Sequence, residues 1–182
     1  CEWMRADDPD YDPVYSTVLG HIASLEGDVD RAFELYRSAS ERQPSRIGAR
    51  LGLGLLARKK GDNTTARESL NAVLVLRPDL WQALVALAEI EASAGDNGRA
   101  IDLYLKAAAI RDDARLRMGL GLVQAARKDP EAAVASLRKA TELDPKLAEA
   151  WISLGNLYLS ANALPLAEQA LRGALQARQD PV

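Results

Sequence analysis

The stretch AEAWISLGNLYLSANALPLAEQALRGAL, Ala148 to Leu175, decides the fold of this 182-residue chain. Trp151, Leu154, Gly155 and Tyr158 stand at i, i+3, i+4 and i+7, the spacing of one face of a 3.6-residue helix. Beyond Asn162, the trio Ala167, Leu171 and Ala174 repeats that spacing. The stretch predicts two short amphipathic helices joined by a tight turn.

The pattern recurs upstream. Leu-Gly or its equivalent stands at Leu19-Gly20, Leu53-Gly54, Leu87-Ala88 and Leu120-Gly121, then at Leu154-Gly155, in steps of 34, 34, 33 and 34 residues. A small residue on the second helix keeps phase at Ala32, Ala66, Ala100, Ala133 and Ala167. Four residues later comes a large one, Tyr36, Leu70, Tyr104, Leu137 and Leu171, and then Ala39, Val73, Ala107, Ala140 and Ala174. Prolines close the period at Pro44, Pro78 and Pro145. A W-x2-L-G-x2-Y helix followed by this second-helix pattern resembles the tetratricopeptide (TPR) repeat. The resemblance covers residues 13–181 and implies an all-α, right-handed superhelical TPR solenoid of five helix pairs, at 13–46, 47–80, 81–113, 114–147 and 148–181.

Within each pair a chain-reversing signal predicts the turn: Gly27-Asp28, Gly61-Asp62, Gly95-Asp96, Lys128-Asp129 and Asn162. Gly and Asn tolerate the left-handed backbone that ends a helix, and Asp caps the next one. Lys128 departs from this logic, although Asp129-Pro130 still suits a helix start. Between Ile110 and Arg115 one residue is missing and Asp112 stands where the other junctions have proline, which predicts a tighter or differently angled junction there. The small residues of the Leu-Gly column are expected where the two helices of a pair come closest.

Residues 1–12, CEWMRADDPDYD, fall outside the repeat and read as a polar tether without helical period. After the fifth pair the chain runs to Asp180-Pro181-Val182 without a polar closing helix. Either the C-terminus was trimmed, or the open face of Leu164 to Leu175 is covered by a partner or another copy.

The composition narrows the function. Hydrophobic residues make up 48% of the chain and aromatic ones 5%, consistent with an Ala- and Leu-filled solenoid core. With 23 basic and 26 acidic residues well mixed, the net charge is −3, which argues against a nucleic-acid surface. No apolar run is long enough to span a membrane. Cys1 is the only cysteine and His21 the only histidine, so no disulfide framework or multi-ligand metal site is expected. The carboxylates show no pair with opposed environments and LGLGLL at 51–56 carries its glycines at helical positions, so neither acid–base nor phosphate chemistry is indicated. The expectation is a non-enzyme with no catalytic residue, cofactor or metal.

TPR solenoids bind on a concave surface lined by the first helix of each pair. By resemblance the groove columns are the second, fifth, sixth, ninth and twelfth residues of a repeat. The fifth reads Thr17, Leu51, Val85, Met118 and Ile152, and the ninth His21, Leu55, Glu89, Leu122 and Asn156. The sixth is small, with Val18, Gly52, Ala86, Gly119 and Ser153, which would let a ligand backbone approach. Chaperone-binding TPRs clamp an acidic tail with Lys and Asn in these columns. Here only Asn156 matches in type, and an apolar groove suits an amphipathic helix instead. Each apolar side chain on a first helix has core packing as its competing role. His21 reads as a groove-edge residue, and Trp81 and Trp151 as packing residues. Trp3 suits an interface.

A chain that begins at its only Cys, followed by an acidic tether and a TPR array, resembles a mature bacterial lipoprotein. In that class the leading Cys carries the lipid, and several acyl chains anchor stably where one does not. Glu2, rather than Asp, points to the outer membrane. Small TPR lipoproteins of this size resemble the pilotins of pilus assembly, of the TadD (Tad pilus) or PilF/PilW type. The resemblance implies a lipid-anchored adaptor at the periplasmic face of the outer membrane that binds a secretin segment. Two alternatives stay open. One is a soluble TPR scaffold or co-chaperone that binds an amphipathic peptide, with Cys1 a cloning boundary. The other is an accessory TPR module of a transferase.

Overall fold

The computed structural model describes residues 12–179, and every regular element among them is an α-helix. The helices are α1 (Pro13–Leu25), α2 (Val29–Arg42), α3 (Ile47–Lys59), α4 (Asn63–Leu76), α5 (Trp81–Ser93), α6 (Asn97–Ile110), α7 (Ala114–Ala126), α8 (Pro130–Leu143), α9 (Ala148–Ser160) and α10 (Leu164–Gln179). Cys1, Glu2, Trp3 and the last three residues lie outside the described region. Asp12, read as tether, instead begins the fold: its carboxylate accepts the Val14 N–H at 2.7 Å and caps α1.

The turns inside the pairs share one hydrogen-bonding scheme. The backbone N–H of Asp28, Asp62, Asp96, Asp129 and Ala163 reaches back to the carbonyl of Ala23, Ala57, Glu91, Gln124 and Tyr158, at 2.9–3.0 Å. This is the six-to-one bond of a Schellman ending, and it needs a left-handed residue just before the donor. Gly27, Gly61 and Gly95 supply it with φ near +80°, Asn162 with φ 56° and Lys128 with φ 63°. Lys128 thus obeys the turn geometry although its side chain is unsuited to it. The four aspartates serve twice, because each carboxylate also accepts the N–H three residues on, from Arg31, Thr65, Arg99 and Ala132.

Between pairs, the connections at 43–46, 77–80 and 144–147 are four residues long and closed by a backbone bond, Arg46 to Gln43, Leu80 to Arg77 and Leu147 to Asp144. The connection at 111–113 has three. Its start signal is carried by side chains instead: Asp113 accepts the N–H of Arg115 and Leu116, while Asp112 pairs with Arg117 at 2.5 Å. The connection is one residue shorter than the others, and a side-chain cap starts the helix that follows it.

The chain divides into two compact units between Ile90 and Glu91, inside α5. In the first, α1 packs on α2, α2 on α3 and α3 on α4, with α1 also touching α3. Its core holds Ala23, Ala32, Leu35, Tyr36, Ala39, Ala49, Leu53 and Leu56. In the second, α6 packs on α7, α7 on α8, α8 on α9 and α9 on α10. Met118 joins two clusters there, one around Ala140 and Ala150 and one around Leu137 and Leu154.

The Leu-Gly column marks the closest approach within a pair. A Cβ on Gly54 would stand 2.8 Å from Leu70 Cγ, and one on Gly121 2.8 Å from Leu137 Cγ and 3.1 Å from the Ala133 carbonyl oxygen. The alanine column that faces it, Ala32 through Ala167, is fully buried.

Candidate binding groove

The groove columns fall on the first helices, and none of their fifth- and ninth-position residues is buried. In the first unit, α1 carries Thr17 and His21, α3 carries Leu51 and Leu55, and α5 carries Val85 and Glu89. Thr17, Leu51, Leu55, Val85 and Glu89 are half-buried and His21 is exposed. Leu51 and Leu55 are one helical turn apart, so they form a continuous apolar strip on α3. Thr17 Oγ1 donates to the Pro13 carbonyl at 2.7 Å, a local bond that occupies its hydroxyl proton.

In the second unit, Met118 and Leu122 lie on α7 and Ile152 and Asn156 on α9. Leu122 is 47% exposed and Asn156 is exposed, while Ile152 is half-buried. Met118 differs from the others. Its packing against both clusters of the second unit makes it part of the core wall as well as a groove column.

The sixth column is corrected by the structure. A Cβ at Gly52 would lie 2.5 Å from Cζ of Tyr36, and one at Gly119 2.6 Å from the Tyr104 hydroxyl. These glycines make room for the tyrosine of the preceding second helix, not for a ligand backbone. Burial of the Tyr36 ring raises its phenol pKa, so the group stays neutral.

Polar chemistry gathers beside the apolar strip of the first unit. Arg58 Nη1 and Glu89 Oε2 pair at 2.5 Å. Desolvation raises the Glu89 pKa and outweighs the attraction of Arg58, which lowers it. Arg58 Nε and the side-chain oxygen of Gln82 are buried without a hydrogen-bond partner among the described residues. Arg58 and Gln82 occupy the twelfth and second columns of their repeats. Both are groove columns of the repeat, and the column rule is the sequence signal that points to them.

Trp151 has the packing role expected of it. It joins the cluster around Leu137 and Leu154, donates from Nε1 to the Pro145 carbonyl at 3.0 Å, and lies against Gly173. In the same repeat position Arg50 donates to the Pro44 carbonyl, so two unlike side chains brace equivalent junctions. Among the described residues, no helix is long and apolar enough to cross a membrane and no group of His, Cys, Asp and Glu could hold a metal ion.

Sequence comparison matches the tetratricopeptide-repeat profile at residues 17–80 and 51–115, and a further TPR profile at 121–161. The chain belongs to the tetratricopeptide-repeat family. Its members are typically non-catalytic scaffolds that bind protein or peptide partners. Among curated relatives, BBSome complex member BBS4 of Bos taurus is 29% identical over 159 residues, 87% of this chain but 31% of the relative. The chain thus spans about a third of that protein's length.

Among solved structures, MamA from Desulfovibrio magneticus RS-1 superposes with a TM-score of 0.84 at 17% identity, covering 92% of this chain and 95% of that one. PilF of Pseudomonas aeruginosa gives 0.81 at 19%, with 91% and 76% covered. YrrB, described as a TPR protein with an unusual peptide-binding site, gives 0.76 at 20%, with 93% and 88% covered. At these identities the likeness shows the fold.

Proposed function

We propose that this TPR protein is a lipid-anchored adaptor that holds an amphipathic helical segment of an outer-membrane secretin and assists assembly of a pilus or secretion machine. The observation that carries the binding mode is the half-exposed apolar strip of Leu51, Leu55 and Val85 beside the Arg58–Glu89 pair. An amphipathic helix would lay its apolar face on the strip and its polar edge along the pair. The fixed charges set register, and the apolar contacts supply affinity. The pilotin role rests on the architecture and on Cys1, the residue that would carry the lipid and tether the array at the periplasmic face of the outer membrane.

Two substitutions test the groove together. Leu51→Glu with Leu55→Glu, both on the apolar strip of α3, is expected to abolish co-purification of the secretin segment while circular dichroism stays helical. Unchanged capture would refute the groove. The anchor is tested separately by Cys1→Ser, which is expected to move the protein out of the membrane fraction. If Cys1→Ser stays membrane-associated, the lipid reading fails, and if wild type is already soluble in its native host, the unlipidated scaffold takes its place.

A further inference from the structure

Inside each unit, one interface is built repeatedly: the second helix of a pair packs on the first helix of the next, as α2 on α3, α6 on α7 and α8 on α9. On the second-helix side it uses the large-residue column and the position four residues later. Tyr36, Tyr104 and Leu137 are at most 6% exposed there. In α10 the equivalent residues are Leu171, half-buried, and Leu175, 60% exposed, with Leu164 beside them at 58%. Leu159, Leu164, Leu171 and Leu175 line a shallow recess, at which the ion-paired Glu168 and Arg172 also stand.

On the first-helix side the same interface uses the third, sixth and tenth residues of a repeat. Ala49, Leu116 and Ala150 at the third position, and Leu56 and Val123 at the tenth, are at most 8% exposed. Their counterparts in α1 are Tyr15 and Ile22, 66% and 43% exposed, with Val18 at the sixth position 52% exposed. α1 contains no Lys, Arg, Asp or Glu at all. The two open faces are therefore the two halves of an interface this chain already builds.

Side-chain size supports the match. Across the internal interface a tyrosine meets a glycine, Tyr36 with Gly52 and Tyr104 with Gly119. Where the large residue is Leu70 or Leu137, the sixth residue of the next repeat is Ala86 or Ser153. Bulk on one side is traded against bulk on the other. The open pair continues the series, with the smaller Leu171 on α10 and the larger Val18 on α1.

We infer that the α10 face receives the α1 face of a second copy of this chain, so that copies associate head to tail through a repeat-like contact. The contact is heterologous: each copy offers one donor face and one acceptor face, and the two differ. Burial of apolar side chains drives it, and no charge on α1 opposes it.

Sedimentation velocity of the full chain over a concentration series tests this, with two variants altered only at exposed positions. Leu164→Glu with Leu175→Glu closes the α10 face, and Val18→Glu with Ile22→Glu closes the α1 face. Wild type is expected to self-associate with rising concentration, and each variant alone to sediment as a monomer with an unchanged helical spectrum. An equimolar mixture of the two variants is expected to form a one-to-one dimer, because each retains the face the other lacks. A monomeric wild type overturns the inference. So does a dimer that survives in the α1-face variant, which would mean that two α10 faces pair with each other. A mixture that stays monomeric overturns it as well.

Discussion

The ring of Tyr36 occupies the volume that a side chain on Gly52 would need: an added Cβ would stand 2.5 Å from its Cζ. The same ring also lies against Gly20, where an added Cβ would come to 3.0 Å, so it fills the space beside both α1 and α3. Gly52→Ala should gain roughly 1 kcal/mol in helix propensity but lose about 1–3 kcal/mol to overpacking, for a net destabilisation. In a Tyr36→Leu background the clash is gone and the same Gly52→Ala change should stabilise. Urea unfolding of the four proteins in the cycle measures this reversal of sign, and two additive effects would contradict it.

Lys128 holds the left-handed position that glycine fills in three sister turns. An L side chain pays about 1 kcal/mol there. Lys128→Gly should therefore raise the stability of the second unit by roughly 0.5–1 kcal/mol, seen as a higher urea midpoint. Gly61→Ala should lower stability, and a matching gain there would show that the turn tolerates any residue.

Two carboxyls should give pH dependences of opposite sign. The bonds that Asp62 accepts from Thr65 lower its pKa. Its contribution is present above the unfolded carboxylate value and is lost as pH falls through the folded one. Asp62→Asn should therefore cost more stability at neutral than at acid pH. Burial raises the Glu89 pKa, so its favourable contribution is complete below the unfolded value and is lost as pH rises through the folded one. Glu89→Gln should gain on wild type as pH rises from acid to neutral. Unfolding midpoints across that range decide both cases, and parallel curves for either variant would exclude its carboxyl.

At the short junction, Asp113 alone among the described residues caps α7 from its side chain, through Arg115 and Leu116. Asp113→Ala should cost about 1 kcal/mol. Arg46→Ala, at the matching site of α3 where no side chain caps, should cost less in the same thermal melt. Equal costs would mean that the shortened connection is held by something other than this cap.

The sequence made the fold legible because its period recurs in five columns. Leu154-Gly155 set a register that transferred without change to Leu53-Gly54 and Leu120-Gly121, where glycine proves to be the point of closest helix approach. The groove was legible as a set of columns but not as a surface. Gly52 and Gly119 follow the repeat like any small residue, and only the path of Tyr36 and Tyr104 shows that their space is already taken. Met118 looked like Leu51 in sequence because period alone does not say how far a flexible side chain reaches into a neighbouring cluster. The burial of Arg58 Nε and of Gln82 depends on neighbours far away in sequence, which no single repeat records.

The doubled use of Asp28, Asp62, Asp96 and Asp129 has a kinetic consequence. One residue ends a helix with its backbone and starts the next with its carboxylate, and both bonds span at most five positions. Helical hairpins specified by such short-range closures form before distant segments have to meet, which favours rapid folding. Growth can then begin at several hairpins and spread to neighbours, as in a one-dimensional chain of coupled units. The hairpin whose reversal depends on Lys128 carries the least favourable local closure, so it is the natural place for that spread to pause.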